Sequence, residues 1–499
     1  MQPFYGDGFR NNRYNITYPT HTPRCRRSAA VHLDETDSTP LYQQIFNQIR
    51  QRIDAGDYAP GTKLPSIRGL ADTLQCARNT VDAAYSMLVS EGFAVSKPGS
   101  GFVVANVGLL HGDPASAAAP SNHRENDTLL GAARKPRFDF TYGNLEPGTF
   151  PAAAWRSITD DILMSVEAAP CNDYGDPLGE TALRDQIAWR LATQRSVDCD
   201  GGSIVIQAGT ADSVVNLLSL LDRQSDVVAM EEPGYPGVRD AIVRSGFAIA
   251  PCRIGEGYEH FMADLEKSGA KLVYVTPSSQ FPTCAVMPVK LRAQLIAWAE
   301  ANDAYLLEDD YCRDFRYRER PLPPLQSMDR CSRVIYMGTF SKSLSPALRI
   351  NYLVLPPLLL ARWKKAFGSS YPTVPWLSQA VLARFMADGS WDRHLRRLQA
   401  RNMRKHRALV DALDAHMGNR IGVLENGTGL HLLVSPRDGR SQEELITTAA
   451  AADVRVYGTR HYWTGKPEAG DSSILVGFSA IALENIEPGV KTLAEAWFS

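Results

Sequence analysis

The stretch that decides the fold runs from Val334 to Leu355 and reads VIYMGTFSKSLSPALRINYLVL. Its two apolar runs, Val334–Met337 and Tyr352–Leu355, have the length and side chains of buried strands. Between them stand hydroxyls at Thr339 and Ser341, a lysine at 342 and, seven residues later, Arg349. A lysine that carries a Schiff base must sit where its amine can lose charge, beside a fixed anion site. The two hydroxyls and the guanidinium are donors enough to hold one phosphate.

Four more strand candidates lie upstream, at Ile204–Gln207, Val227–Met230, Leu272–Val275 and Tyr305–Leu307. Helical or loop stretches separate them. Such alternation predicts an α/β body with a mostly parallel, doubly wound sheet. Three of these strands end on residues with chemistry to offer. Leu307-Glu308-Asp309-Asp310-Tyr311 puts a carboxylate where it can pair with a pyridinium nitrogen, and a tyrosine two residues on that can bond a phenolate oxygen. Gln207-Ala208-Gly209-Thr210-Ala211 opens a helix whose N–H groups suit a phosphate. Glu232-Pro233-Gly234-Tyr235-Pro236 offers a ring that can stack on another. Each piece alone is also what a surface pair, a strand cap, an N-cap or loop packing looks like. Jointly, at the strand ends of one body, where open α/β sheets bind ligands, they are the equipment for pyridoxal 5′-phosphate (PLP).

Beyond about Pro357 the pattern changes to a long, charge-rich helical stretch, about Trp391 to His416. Two strands follow around a Gly turn, near Gly422–Glu425 and Gly429–Val434. A smaller α+β subdomain is expected there, dividing the body into 138–356 and 357–499. Upstream, residues 106–137 are rich in Ala, Pro, Ser and Asn and read as a linker. Residues 1–37 read as a polar extension without the apolar core of a secretory signal.

That leaves a module at 38–105. Leu41, Ile45, Phe46, Ile49 and Ile53 recur at helical spacing. Ser66 is placed to cap a second helix, and Val81, Ala84, Tyr85 and Leu88 form the apolar face of a third. Strands at Phe93–Val95 and Phe102–Val104 flank a turn, which completes the order of a winged helix-turn-helix. In that fold the third helix enters the major groove by its N-terminus, here Arg78-Asn79-Thr80. Arg78 can pair with guanine; Arg68 and Lys97 can meet phosphates; Gly99 and Gly101 let the wing backbone come close. Charge alone does not decide the matter: Arg50, Arg52, Lys63, Arg68, Arg78 and Lys97 face Asp54, Asp57, Asp72, Asp82 and Glu91.

The whole chain of 499 residues carries a net charge of −2 and 44% hydrophobic residues, which excludes a polybasic coat, a disordered chain and a fibre. No stretch approaches the ~20 apolar residues of a membrane span. The eight cysteines show no CxxC pair, so free thiols in a reducing cytoplasm are expected, with no metal site.

The segments LPSIRGLADTL, ARNTVDAAYSML and GFAVSKPGSGFVV closely resemble the GntR-type winged helix-turn-helix. The series YGDPLGETALR, AGTADSV, EEPGYPGVR, TPSSQFPT, LLEDDY and GTFSKSLSPALRINYLV resembles the fold-type I aminotransferases in order and content. Together, over residues 38–499, they resemble the MocR/GabR-type bacterial regulators. The resemblance implies that Arg68, Arg78, Thr80 and Gly99 touch double-stranded operator DNA. It implies an internal aldimine at Lys342, Asp309 on the pyridine nitrogen, Tyr311 on the phenolate oxygen and Tyr235 stacked on the ring. Thr210, Thr339, Ser341 and Arg349 would bind phosphate, beside Ala211, which stands where a Gln is common. Tyr174, in Asp173-Tyr174-Gly175, matches the tyrosine that reaches the neighbouring subunit's phosphate, which implies a domain-swapped homodimer. The chain departs from the family at Ser279 and Cys284, where His and Gly are common, and at Gly237, where spacing places a substrate-binding arginine of the GABA-responsive member. Arg460 is a candidate clamp for an effector carboxylate, and equally a plain surface arginine. The expectation is a cytoplasmic regulator, on the nucleoid when DNA-bound, that senses PLP, an amine or an amino acid. An active aminotransferase carrying a DNA-binding module is the alternative.

Overall fold

The computed structural model describes residues 31, 33–34, 39–97, 101–105, 136–165, 172–255, 257–317, 322–424, 427–465 and 472–499. The chain divides into two compact units, Met1–Ala132 and Ala133–Ser499.

In the first unit three helices, α1 (Leu41–Asp54), α2 (Ile67–Leu74) and α3 (Arg78–Ser90), precede an antiparallel pair, β1 (Ala94–Lys97) and β2 (Gly101–Val104). The expected apolar faces meet in one core, in which Ile45, Val81, Ala84, Tyr85 and Leu88 are fully enclosed. Tyr85 also fixes the helix pair: its ring packs edge-on to Phe102 at 5.0 Å and its hydroxyl donates to the Pro65 carbonyl. Ser66 caps α2 as expected, accepting from the Gly69 N–H at 3.0 Å. The wing tip with Gly99 lies outside the described residues.

The second unit opens with β3 (Phe138–Asp139), α4 (Ala152–Leu163) and α5 (Thr181–Arg195). Strands and helices then alternate: β4 (Ile204–Gln207), α6 (Thr210–Leu218), β5 (Val227–Glu232), α7 (Pro236–Arg244), β6 (Ala248–Arg253), α8 (Phe261–Glu266), β7 (Ala270–Val275), α9 (Val289–Ala301), β8 (Tyr305–Asp309), α10 (Leu325–Met328), β9 (Val334–Thr339) and β10 (Asn351–Val354). The seven strands β4 to β10 form one sheet in the order β4-β10-β9-β8-β7-β5-β6. All six expected strands are there. The seventh, β6, lies outside the expectation: it is an edge strand of mostly exposed or half-exposed residues, and its short apolar run, Phe247–Ala250, is cut by Pro251. β10 runs antiparallel to β9 and β4. The reason is local, because residues 340–350 contain no crossover helix and a parallel return needs a dozen or more residues.

Helices α11 (Pro357–Phe367), α12 (Trp376–Ala387) and α13 (Ser390–Met417) follow, then β11 (Ile421–Leu424), β12 (His431–Pro436), α14 (Gln442–Ala451), β13 (Val454–Arg455), β14 (Tyr457–Gly458), β15 (Ile474–Gly477) and α15 (Leu483–Phe498). A second sheet has the order β11-β12-β15-β14. The expected division at 356/357 does not follow the cores. Trp363 of α11 and Leu382, Phe385 and Trp391 of α12 and α13 still pack on the large sheet. Only from Leu398 onward does α13 join the second core. A helix of 28 residues, about 42 Å long, is simply long enough to serve both. At the other end, β3 pairs with β13, so Phe138 and Phe140 belong to the second core. Among the described residues, no helix is long and apolar enough to cross a membrane.

Candidate active site and DNA-reading face

The C-terminal edge of the large sheet holds a cavity of about 210 Å³. Its wall brings together Lys342, Asp309, Tyr311, Tyr235, Thr210, Ala211, Thr339, Ser341 and Arg349. The sheet does this placing. β8 ends on Asp309, β9 ends on Thr339, α6 begins at Thr210, and the β9–β10 connection carries the lysine and the arginine.

Lys342 is half-buried, with Nζ 3.4 Å from the Gly143 carbonyl and 4.5 Å from the centre of the Tyr142 ring. Loss of water lowers its pKa from 10.5, against the opposing pull of Cys312 and Asp309. That is the condition for a nucleophilic amine. Asp309 is enclosed as well. Its Oδ2 accepts from the Tyr274 hydroxyl at 2.8 Å, while Oδ1 has no partner among the described residues. Burial raises this carboxyl from 3.8 to about 7. The next residue has the opposite fate. Asp310 points to the other face of the strand, receives Arg195 at 2.6 Å and the Tyr336 hydroxyl at 2.8 Å, and is held below the usual carboxylate range by Arg195. Each acid keeps an unpartnered Oδ1 among the described residues, but only Asp309 lines the cavity.

The anion cup is built from a helix end and a loop. Gly209, at φ 129°, caps α6 without a side-chain bond. A Cβ on Gly209 would lie 2.0 Å from Nη2 of Arg349, so only glycine lets the guanidinium reach the helix end. Arg349 itself takes the left-handed conformation, at φ 53°. The Thr339 hydroxyl donates to Ser341 Oγ at 3.0 Å, and the Ser341 N–H donates to Thr339 Oγ1 at 3.1 Å. On the far side Tyr235 meets Phe281 edge-on at 5.7 Å. A Cβ at Gly237 would lie 2.7 Å from the Tyr235 ring, so an arginine there would have to push that ring aside.

Two expected residues are not in this cavity. Tyr174 is 74% exposed and stacks on Tyr371 at 4.1 Å. Arg460 is exposed on a short turn, and its N–H donates to Gln442 Oε1 at 3.1 Å. Four lining residues carry no signal in the sequence: Tyr142, Tyr274, Phe281 and Pro346. Tyr274 and Phe281 sit in segments that read as strand and loop packing.

The residues fit PLP. The cup offers donors for a phosphate, the Asp309 Oδ1 orphan is an acceptor for a protonated ring nitrogen, and Lys342 is a desolvated amine. On the first unit, Ser66, Arg68, Arg78, Asn79 and Lys97 are exposed, and Thr80 is half-exposed. Arg78, Asn79 and Thr80 form the first turn of α3, free of any side-chain cap.

Such a fold and pocket define a class: an aminotransferase-like body joined to a winged-helix reader. The description "bacterial regulatory proteins, gntR family" matches residues 41–104, and "aminotransferase class I and II" matches residues 138–463. The chain is 34% identical to the HTH-type transcriptional regulator YhdI of Bacillus subtilis (strain 168), over 93% of this chain and 97% of the relative. It is 30% identical to the "probable rhizopine catabolism regulatory protein MocR" of Rhizobium meliloti, over 94% and 96%. Among solved structures it resembles the Pyrococcus horikoshii kynurenine aminotransferase in fold, with a TM-score of 0.66 at 23% identity, covering 78% and 97% of the two chains. This chain belongs to the MocR/GabR-type family of transcriptional regulators.

Proposed function

We propose that this regulator reads operator DNA through α3 and carries PLP covalently on Lys342. Its signal is PLP itself or a small amine or amino acid, and it controls genes of vitamin B6, amino-acid or amine metabolism. The observation that carries this reading is the pairing of a desolvated Lys342 amine with an unpartnered Asp309 oxygen in one cavity. When bound, the cofactor supplies an electrophilic carbon and an electron sink. The chain supplies the rest. Asp309 holds a proton at the ring nitrogen, Tyr311 bonds the ring oxygen, Tyr235 stacks on the ring, and Thr210, Thr339, Ser341 and Arg349 hold the phosphate. Tyr174 serves a partner's phosphate in a homodimer, a reading that its exposure on its own subunit supports. Arg460 lies on the surface, outside the cavity.

Lys342→Ala decides the matter. The variant should lose the visible absorbance of bound cofactor and the label that borohydride fixes on the wild-type chain. A yellow, borohydride-labelled variant would overturn the assignment. The complete set of cofactor contacts also supports a second reading, slow transamination. Steady conversion of an amino donor and 2-oxoglutarate, without selective DNA binding, would favour it.

A further inference from the structure

A second cleft, of about 790 Å³, lies on this unit between the start of α4 and the first half of α13. The charged side chains that face it without an acidic partner are all cations. Arg393, Arg397 and Arg404 line it, are exposed, and have no carboxylate partner among the described residues. They recur at helical spacing over about 16 Å of α13. Opposite them, α4 begins at Pro151 without a side-chain cap. Its Ala152 N–H bonds the Phe150 carbonyl, and Ala153 and Ala154, whose N–H groups precede the first intrahelical bond from Trp155, line the cleft.

One buried polar side chain also borders the cleft. His394 lines the cleft yet is only 8% exposed. Its Nε2 bonds the Ser343 carbonyl at 2.7 Å, which fixes Nε2 as the donor; Nδ1 has no partner among the described residues. Burial, with Arg397 beside it, lowers the pKa of this imidazole from 6.5, so the cations of the cleft are the arginines. Arg401, which also lines the cleft, is already paired with Glu146, an acid that Lys405 shares. Arg393 makes only a bond to Ser390 Oγ and a long one to the Asp388 carbonyl.

We infer that this cleft binds a compact polyanion, a small molecule carrying two or more phosphate groups. The volume falls in the range of small-molecule sites, about 300–1,000 Å³. Three guanidiniums spread along two turns and more match a chain of phosphates rather than a single one. Nucleoside triphosphates and inorganic polyphosphates share the chemistry.

The test uses the full chain with its cofactor bound, so that the anion cup beside Lys342 is already filled. Calorimetric titration with tripolyphosphate should show saturable binding, and inorganic phosphate should bind at least tenfold more weakly. The double variant Arg393→Ala/Arg397→Ala should weaken tripolyphosphate binding at least tenfold while keeping its bound-cofactor absorbance, which reports an intact fold. Arg404→Ala alone should weaken it several-fold. ATP binding as tightly as tripolyphosphate means that phosphates alone are read; ATP binding more tightly means that a nucleoside is read too. No saturable binding at millimolar tripolyphosphate, or binding unaffected by the double substitution, overturns the inference. So does loss of affinity for non-operator DNA in the double variant with tripolyphosphate binding unchanged, since the face would then be a DNA-backbone contact.

Discussion

At the scale of single residues, Asp309 and Asp310 show how environment divides two identical side chains. Asp310 meets a guanidinium and stays ionised; Asp309 meets a phenol and is pushed to about 7 by burial. The consequence is measurable in the cofactor-free protein. An unfolded aspartate titrates near 3.8, and the folded one near 7. Neutral Asp309 therefore contributes its full stability below pH 3.8 and loses it as pH rises toward 7. Asp309→Asn lacks that loss, so its stability relative to wild type should grow between pH 5 and pH 8, by roughly 2–3 kcal/mol. Urea unfolding at the two pH values checks this, and a difference that does not change with pH refutes the burial argument. With cofactor present the order should reverse, since Asn cannot hold the proton at the ring nitrogen. Gly209→Ala should cost cofactor affinity for a steric reason: its Cβ would fall 2.0 Å from the Arg349 guanidinium, in a backbone conformation that alanine resists. Cofactor retention through dialysis reads that effect. Residues of this kind are legible in the sequence because a lysine, a carboxylate or a hydroxyl at a strand end interrupts an apolar run. Tyr142, Tyr274 and Phe281 are not, because an aromatic residue in a strand or a loop looks the same whether it faces core or cavity.

At the scale of elements, legibility depends on whether burial is two-sided. Strands β4, β5, β7, β8, β9 and β10 are nearly all buried, and each leaves an apolar run in the sequence. β6 is exposed or half-exposed along most of its length, pairs with one neighbour only and leaves just the four apolar residues before Pro251. The subdomain boundary departs from expectation for a related reason. The composition change near 357 marks where strands stop, but α11 and α12 still cover the large sheet, and a helix does not announce which sheet it packs on. In the first unit each helix carries its own punctuation, and predictions there are sharp. Ser66→Ala removes the α2 cap and should lower the stability of that unit by about 0.5–2 kcal/mol. Hydrogen exchange of the α2 amides should speed up while the large sheet is unaffected. Arg78→Ala, at the first position of α3, should weaken operator binding by about 1–3 kcal/mol and relax sequence preference. An equal loss on operator and non-operator DNA would make Arg78 a phosphate contact instead.

At the scale of the whole molecule, one chain holds a DNA reader and a cofactor pocket in separate units, and a regulator must connect them. The connection is constrained by thermodynamics whatever path it takes. If bound PLP changes operator affinity by some factor, then operator must change PLP affinity by the same factor, because both are legs of one cycle. Coupling of about 1–3 kcal/mol, the usual range, corresponds to roughly 5–150-fold. Operator affinity measured with cofactor-free and cofactor-loaded protein gives one leg. PLP affinity measured by absorbance, with and without saturating operator, gives the other. Equal factors above about fivefold would make the pocket a sensor for its own cofactor. Factors of one on both legs would leave PLP as a fixed prosthetic group, and the signal would then have to be the amine that reacts with it. Lys342→Ala, which removes the attachment but not the anion cup, separates these cases further. Where the covalent link drives the coupling, the variant should bind operator with the affinity of the cofactor-free wild type at every PLP concentration.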